Sequence, residues 1–182
     1  MAMKRVLSLM MGSLCGLLLA GESVSATLKF STPTPPPHIM TKAANHFGKL
    51  LAEATGNEMK VKVSPLNKLG NVPTVLSLLQ SGAVQFAYVP AGDLARREES
   101  FYGWFLPYQF KNVTEAGKAA GSPASQEMLK RLEAHGLIGL GYVFPGQRHV
   151  LSREDFRSLG ELAGKKGRAF PNELFETWWK DC

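Results

Sequence analysis

Apolar and polar residues alternate over Thr27–Ser31 (Thr-Leu-Lys-Phe-Ser) and again over Met59–Ser64 (Met-Lys-Val-Lys-Val-Ser), the pattern of half-buried strands. Between them, Thr32–Pro37 is a proline-rich turn, because proline fixes φ and lacks a backbone donor. Met40, Ala43, Ala44, Phe47, Leu50, Leu51 and Ala54 then recur at helical spacing, and Gly56 marks the stop. A second helix is predicted over Val72–Gln80, with Asn71 as N-cap, Pro73 in the first turn and Gly82 beyond its end. Val84–Val89 reads as a third strand. The aromatic-rich stretch Phe101–Phe110 reads first as packing, since aromatic side chains bury large areas. Helical sequence returns from Thr114 to His135, broken at Gly121-Ser122-Pro123, with Met128, Leu129 and Leu132 on its core face and Gly136 ending it. Leu137–Phe144 is apolar or glycine throughout and predicts a fourth strand buried on both faces. Beyond Gly146 come a short strand at His149–Ser152, a helical piece near Leu159–Leu162, a strand at Arg168–Phe170, and a helix over Pro171–Lys180 carrying Phe175, Trp178 and Trp179.

Strand, helix, strand, helix, strand with short connections predicts an α/β fold with a parallel sheet covered by helices. Such sheets bind ligands outside the carboxyl ends of their strands, which puts the loops at Thr32–His38 and Pro90–Asp93 on the binding side. Phe105 and Tyr108 are candidate walls of a cleft there. Residues 27–145 read as one nearly complete lobe and 146–182 as the beginning of a second. A lobe of that second length cannot bury its own core. Either the chain is part of a longer protein, the favoured expectation, or its last residues dock on the first lobe.

The N-terminus changes the picture from any α/β domain to an exported one. Lys4 and Arg5 precede an apolar run from Val6 to Leu19, and Val24-Ser25-Ala26 supplies small residues for cleavage. The run is short of the about 20 apolar residues a membrane span needs, so residues 1–26 are expected to be a cleaved signal peptide and the protein periplasmic. Leu14 before Cys15 argues against a lipid anchor. Cleavage would leave Cys182 as the lone cysteine, so the fold must rest on core burial rather than a disulfide. The formal charge of +6 falls by one when Lys4, Arg5 and Glu22 are removed. The remaining basic residues are scattered, which speaks against nucleic acid as a partner and leaves a mild attraction for anionic solutes.

Two arginines carry the most specific chemistry. Arg148 lies in Pro145-Gly146-Gln147-Arg148-His149 and Arg168 in Gly164-Lys165-Lys166-Gly167-Arg168, each beside a turn signal. A guanidinium is permanently charged, and its rigid fork matches a carboxylate two bonds at a time. The bland reading of Arg168 is a solvated strand-end cation or a partner of Glu173. His38, His46, His135 and His149 lack metal-ligand spacing. Nothing pairs Glu98, Glu99, Asp155 and Glu161 into an acid/base couple, and no Gly-x-Ser-x-Gly elbow or Gly-x-Gly-x-x-Gly loop is present. The sequence therefore offers an enzyme no nucleophile, metal or cofactor loop, and no cofactor is expected.

Taken in order, Leu28-Lys29-Phe30-Ser31, Leu66-Asn67-Lys68-Leu69-Gly70, Gly82-Ala83-Val84-Gln85-Phe86-Ala87, Leu106-Pro107-Tyr108, Gly136 to Gly141, Arg148 and Gly164 to Arg168 resemble the solute-binding proteins of tripartite ATP-independent periplasmic (TRAP) transporters. The resemblance runs over nearly all of the chain after the signal. It implies a periplasmic-binding-protein-like fold, with two α/β lobes joined by crossing strands and closing on a solute by hinge motion. It implies a receptor, not an enzyme, that captures a small organic acid and hands it to TRAP permease subunits in the membrane; a monomer is expected. Arg168 matches the family arginine that pairs with the solute carboxylate, and Arg148 a second, assisting arginine. His38, Pro90 and Asn172 fall at other contact positions. The sequence departs from the family in reading Arg168-Ala169-Phe170-Pro171 where Arg-Val-Pro is usual. It also has Pro90 where some acid-sugar binders carry glutamate, and it is about half a usual two-domain length. A receptor of an ATP-driven importer, an exported enzyme with its catalytic half elsewhere, and a truncated chain that binds nothing remain open alternatives.

Overall fold

The computed structural model describes residues 25–147, 149–168 and 173–180. Most of the expected signal peptide, up to residue 24, lies outside them, as do Arg148, Ala169–Asn172 and the last two residues. Among the described residues no helix is long and apolar enough to cross a membrane.

Strand β1 (Ala26–Ser31) is central in a three-stranded parallel sheet of order β2-β1-β3, with β2 at Met59–Ser64 and β3 at Phe86–Ala87. Alternation sets the faces. Phe30 pairs with Val63 on one side and Phe86 on the other, and Leu28 with Val61, so one face is apolar. Helix α1 (Ile39–Ala54) covers it, its Phe47 ring meeting Phe30 at 6.1 Å and Phe86 at 5.0 Å. The opposite face carries Lys29, directly across from Lys62 and exposed like it.

The buried stripe of α1 is Thr41, Ala44 and Gly48 rather than the larger residues the spacing favours, and Leu50 is exposed. Close approach explains the exchange. A Cβ at Gly48 would stand 3.0 Å from the Val61 Cβ, so only small residues fit against β2. Helix α2 (Val72–Gln80) starts as expected, the Asn71 side chain accepting from the Thr74 N–H at 3.1 Å. The third strand is shorter than predicted. Val84 turns back to bond the Leu78 carbonyl, although Gln85 and Tyr88 still donate to Lys29 and Ser31 of β1.

A second core gathers Leu76 of α2, Leu94 and Ala95 of α3 (Ala91–Ala95), and Phe101 of the 3-10 helix Glu99–Phe105. Leu129 of α5 (Pro123–Arg131) and Leu132 of the following 3-10 turn complete it, and α4 (Val113–Ala120) precedes α5. Glu98 ties this layer electrostatically. Its carboxylate lies 3.7 Å from Arg131 and 4.0 Å from His135. Hydrogen bonding from Ser100, whose backbone N–H donates to Glu98 Oε1 at 3.3 Å, together with these two neighbours, holds Glu98 below the usual glutamate range.

The predicted fourth strand is the main correction. Leu137–Phe144 joins no ladder among the described residues, and it is buried on one side only. Leu137 and Tyr142 pack on the second core, while Ile138 and Leu140 are 78% and 74% exposed. An unbroken apolar run cannot tell burial on two sides from burial on one. His149–Ser152 is likewise not a strand, whereas the short helix at Leu159–Leu162 is present as a 3-10 turn. Helix α6 (Glu173–Lys180) follows and meets the Glu99–Phe105 turn, with Phe175 on Phe105 at 5.6 Å.

Candidate functional site

Strand order 2-1-3 has its switch point between β1 and β3: the chain leaves β1 towards β2, then crosses back to β3. The crevice of a parallel sheet opens there, outside the carboxyl ends. The loop after β1 contains Pro33–His38, and the segment after β3 leads to Pro90. The fold therefore brings these two predicted positions to one edge.

Hydroxyls fix the first loop. Thr32 and Thr41 are buried, and Thr34 sits between them, its Oγ1 2.9 Å from Thr32 Oγ1 and 2.8 Å from Thr41 Oγ1. Thr34 N–H donates to Thr32 Oγ1, and the Thr41 hydroxyl donates to the Thr34 carbonyl. Backbone N–H groups of Leu66 and Asn67, both at positive φ, donate to the Thr34 and Thr32 carbonyls and bring the loop after β2 to the same edge. Sequence reading saw only a proline turn here. The Thr-x-Thr spacing, with a third threonine in the first turn of α1, was the available signal.

His38 is engaged as the N-cap of α1, its Nδ1 accepting from the Met40 N–H at 3.2 Å. Pro90 occupies the N-cap position of α3, where its carbonyl accepts from Asp93 at 3.0 Å and Leu94 at 3.3 Å. Burial pushes the Asp93 carboxyl above its usual range, against the pull of Arg96. Of the proposed cleft walls, Phe105 is half-buried against Phe175, and Tyr108 is 86% exposed with φ at 59°. Phe101 and Trp104 serve packing, the Trp104 ring lying 4.7 Å from Tyr142 and 5.2 Å from Phe144.

Arg168 is exposed and, among the described residues, forms no ion pair, with Glu173 or any other carboxylate. Its segment is held from both sides: Lys165 pairs with Glu154, and Gly167 lies against the Trp179 indole. Arg148 and Asn172 lie outside the described residues, although Gln147 beside Arg148 donates to the Lys111 carbonyl at 3.0 Å. A cavity of about 340 Å³ lies between the Glu99–Phe105 turn and α6. Tyr102, Leu106, Glu173 and Leu174 are among its lining residues; its wall carries a carboxylate and no cation, so an organic acid gains nothing from it. No group of three or more potential metal ligands occurs among the described residues.

Residues 30–182 match the family described as bacterial extracellular solute-binding protein, family 7 (DctP). The chain belongs to this family. Among relatives of family 7, the C4-dicarboxylate-binding periplasmic protein DctP of Shewanella loihica is 25% identical over 162 residues, 89% of this chain and 48% of the relative. The 2,3-diketo-L-gulonate-binding periplasmic protein YiaO of Escherichia coli is 27% identical over 143 residues, 78% of this chain and 44% of the relative. In structure, the chain superposes on the sugar acid binding protein DctPAm of Advenella mimigardefordensis, solved with galactonate, with a TM-score of 0.80 at 27% identity; the match covers 86% of this chain and 51% of that one. A TRAP periplasmic solute binding protein of Pseudomonas putida, solved with D-glucuronate, gives a TM-score of 0.79 at 25% identity, covering 85% and 51%. The chain thus spans about half the length of the relatives it matches.

Proposed function

We propose that this family 7 protein captures a small organic acid in the periplasm and delivers it to the membrane subunits of a TRAP permease. Arg168 carries the reading: an exposed guanidinium, unpaired among the described residues, on the segment that leads into α6. Its fork pairs with the solute carboxylate, and Arg148 assists. The loops bearing His38 and Pro90 form the facing wall, with Asn172 adding a polar contact. Residues 1–26 are a signal peptide removed on export, residues 27–145 form the first lobe, and the second begins at Gly146. Closing the lobes excludes water from the pair, which strengthens it. Relatives and structural neighbours named for dicarboxylates and sugar acids, some holding such acids, support this solute class. Capture rather than turnover is in keeping with the family's description as solute-binding proteins.

Calorimetry on the native-length protein with galactonate, glucuronate and malate tests the reading. Arg168→Ala is expected to cost about 2–5 kcal/mol of binding, as when one side of a buried charge pair is removed. Unchanged affinity for an acid the wild type binds would overturn the role of Arg168.

A further inference from the structure

Gly167, immediately before Arg168, is a glycine for reasons of space. Its backbone φ is not positive, in contrast to Gly164 at +73°, where the surroundings are open. A methyl group built on Gly167 would overlap the Trp179 indole, which comes to 2.7 Å at Nε1 and closer still at two ring carbons. Trp179 is half-buried and lies one helical turn beyond Phe175, on the same side of α6. Phe175 in turn rests on Phe105, at the end of the 3-10 turn that follows α3 and Pro90. One short helix therefore bridges the segment bearing Arg168 to the wall that continues from Pro90.

We propose that Gly167 and Trp179 are a matched pair of positioning residues: the bare Cα seated on the indole sets the distance and direction at which Arg168 is presented to an anionic solute. The proposal rests on the carboxylate-binding role of Arg168. Bidentate pairing tolerates little displacement of the fork, so shifting the backbone one residue away weakens it without removing any charge.

The experiment uses the native-length protein, with galactonate, glucuronate and malate as probes. Gly167→Val is expected to weaken binding at least tenfold while leaving the melting temperature within a few degrees, because only the seat of one indole changes. The double variant Gly167→Val/Trp179→Ala, in which the obstruction is gone, is expected to recover most of that loss. Acrylamide quenching of tryptophan fluorescence in a Trp178→Phe background should rise on Gly167→Val as Trp179 is displaced. Full loss in Arg168→Ala with no loss in Gly167→Val would overturn the pair and keep the arginine. Absence of rescue in the double variant would also overturn it. If the wild type binds none of the three acids, the reading of Arg168 fails, and unchanged quenching then rejects the pair as well.

Discussion

Two stretches that both read as strands end differently in this molecule. Phe30 in β1 is 6% exposed, with a strand on each side and Phe47 of α1 above it. Ile138 and Leu140, in a run with more apolar residues than β1, are 78% and 74% exposed and have no ladder neighbour among the described residues. Apolar content does not make a strand; partners on the hydrogen-bonding edges do. The earlier region obtains β2 across the single helix α1 and β3 across α1, β2 and α2. The later run finds one surface, the second core, and leaves its other side open.

Truncating one side chain in each stretch of the 182-residue chain separates the paired strand from the open run. Phe30→Ala, at a position 6% exposed, should cost about 3–5 kcal/mol in urea denaturation. Ile138→Ala should cost less than about 0.5 kcal/mol, and an equal loss at both sites would mean that Ile138 is covered in solution. Next in size, Asn71→Ala removes the cap of α2 and should cost about 1 kcal/mol; loss of stability with α2 amides still protected in hydrogen exchange would contradict a cap role.

The Glu98 contact makes the second core sensitive to acid. Because Glu98 is held below its ordinary value of 4.5, its contribution is present above that pH and lost as the pH falls through the lowered value. Glu98→Gln should flatten the acid limb of the stability curve, an effect under about 1 kcal/mol since Arg131 is half exposed. An unaltered limb would place the acid sensitivity elsewhere. The smallest effect concerns the sheet's polar face: Lys62→Glu converts the facing Lys29–Lys62 pair into opposite charges and should add about 0.2–1 kcal/mol, read as a rise in melting temperature that salt suppresses.

Legibility followed the range over which each signal acts. The bounds of β2 and α2 coincide with those read from alternation and from Asn71, because both signals are complete within a few residues. Gly136 ends its helical turn in the left-handed conformation, again a local matter. The face of α1 was only partly legible, since the distance to Val61 that selects Gly48 is set by another strand. Leu137–Phe144 was misread because a strand is defined by neighbours that periodicity does not see. Arg168 is exposed, as the bland reading of a solvated cation and the binding reading both require, and His38 Nδ1 caps α1, a role that the local sequence did not mark. The indole that gives Gly167 its reason lies in the next element and carries no mark in the local sequence.

The three threonines after β1 have a chemical polarity. Thr41 spends its one hydroxyl proton on the Thr34 carbonyl, so the bond between their hydroxyls must run from Thr34 to Thr41, and the proton shared with Thr32 must come from Thr32. The circuit starts at the Thr34 amide and closes on the Thr34 carbonyl, with every donor consumed. Lone pairs are all that these hydroxyls can offer a newcomer, and only Thr34 reaches the surface. An oxyanion, itself an acceptor, finds no proton there. Any group that meets Thr34 at this edge of β1 must therefore bring a proton of its own, a demand set by the direction of three O–H bonds.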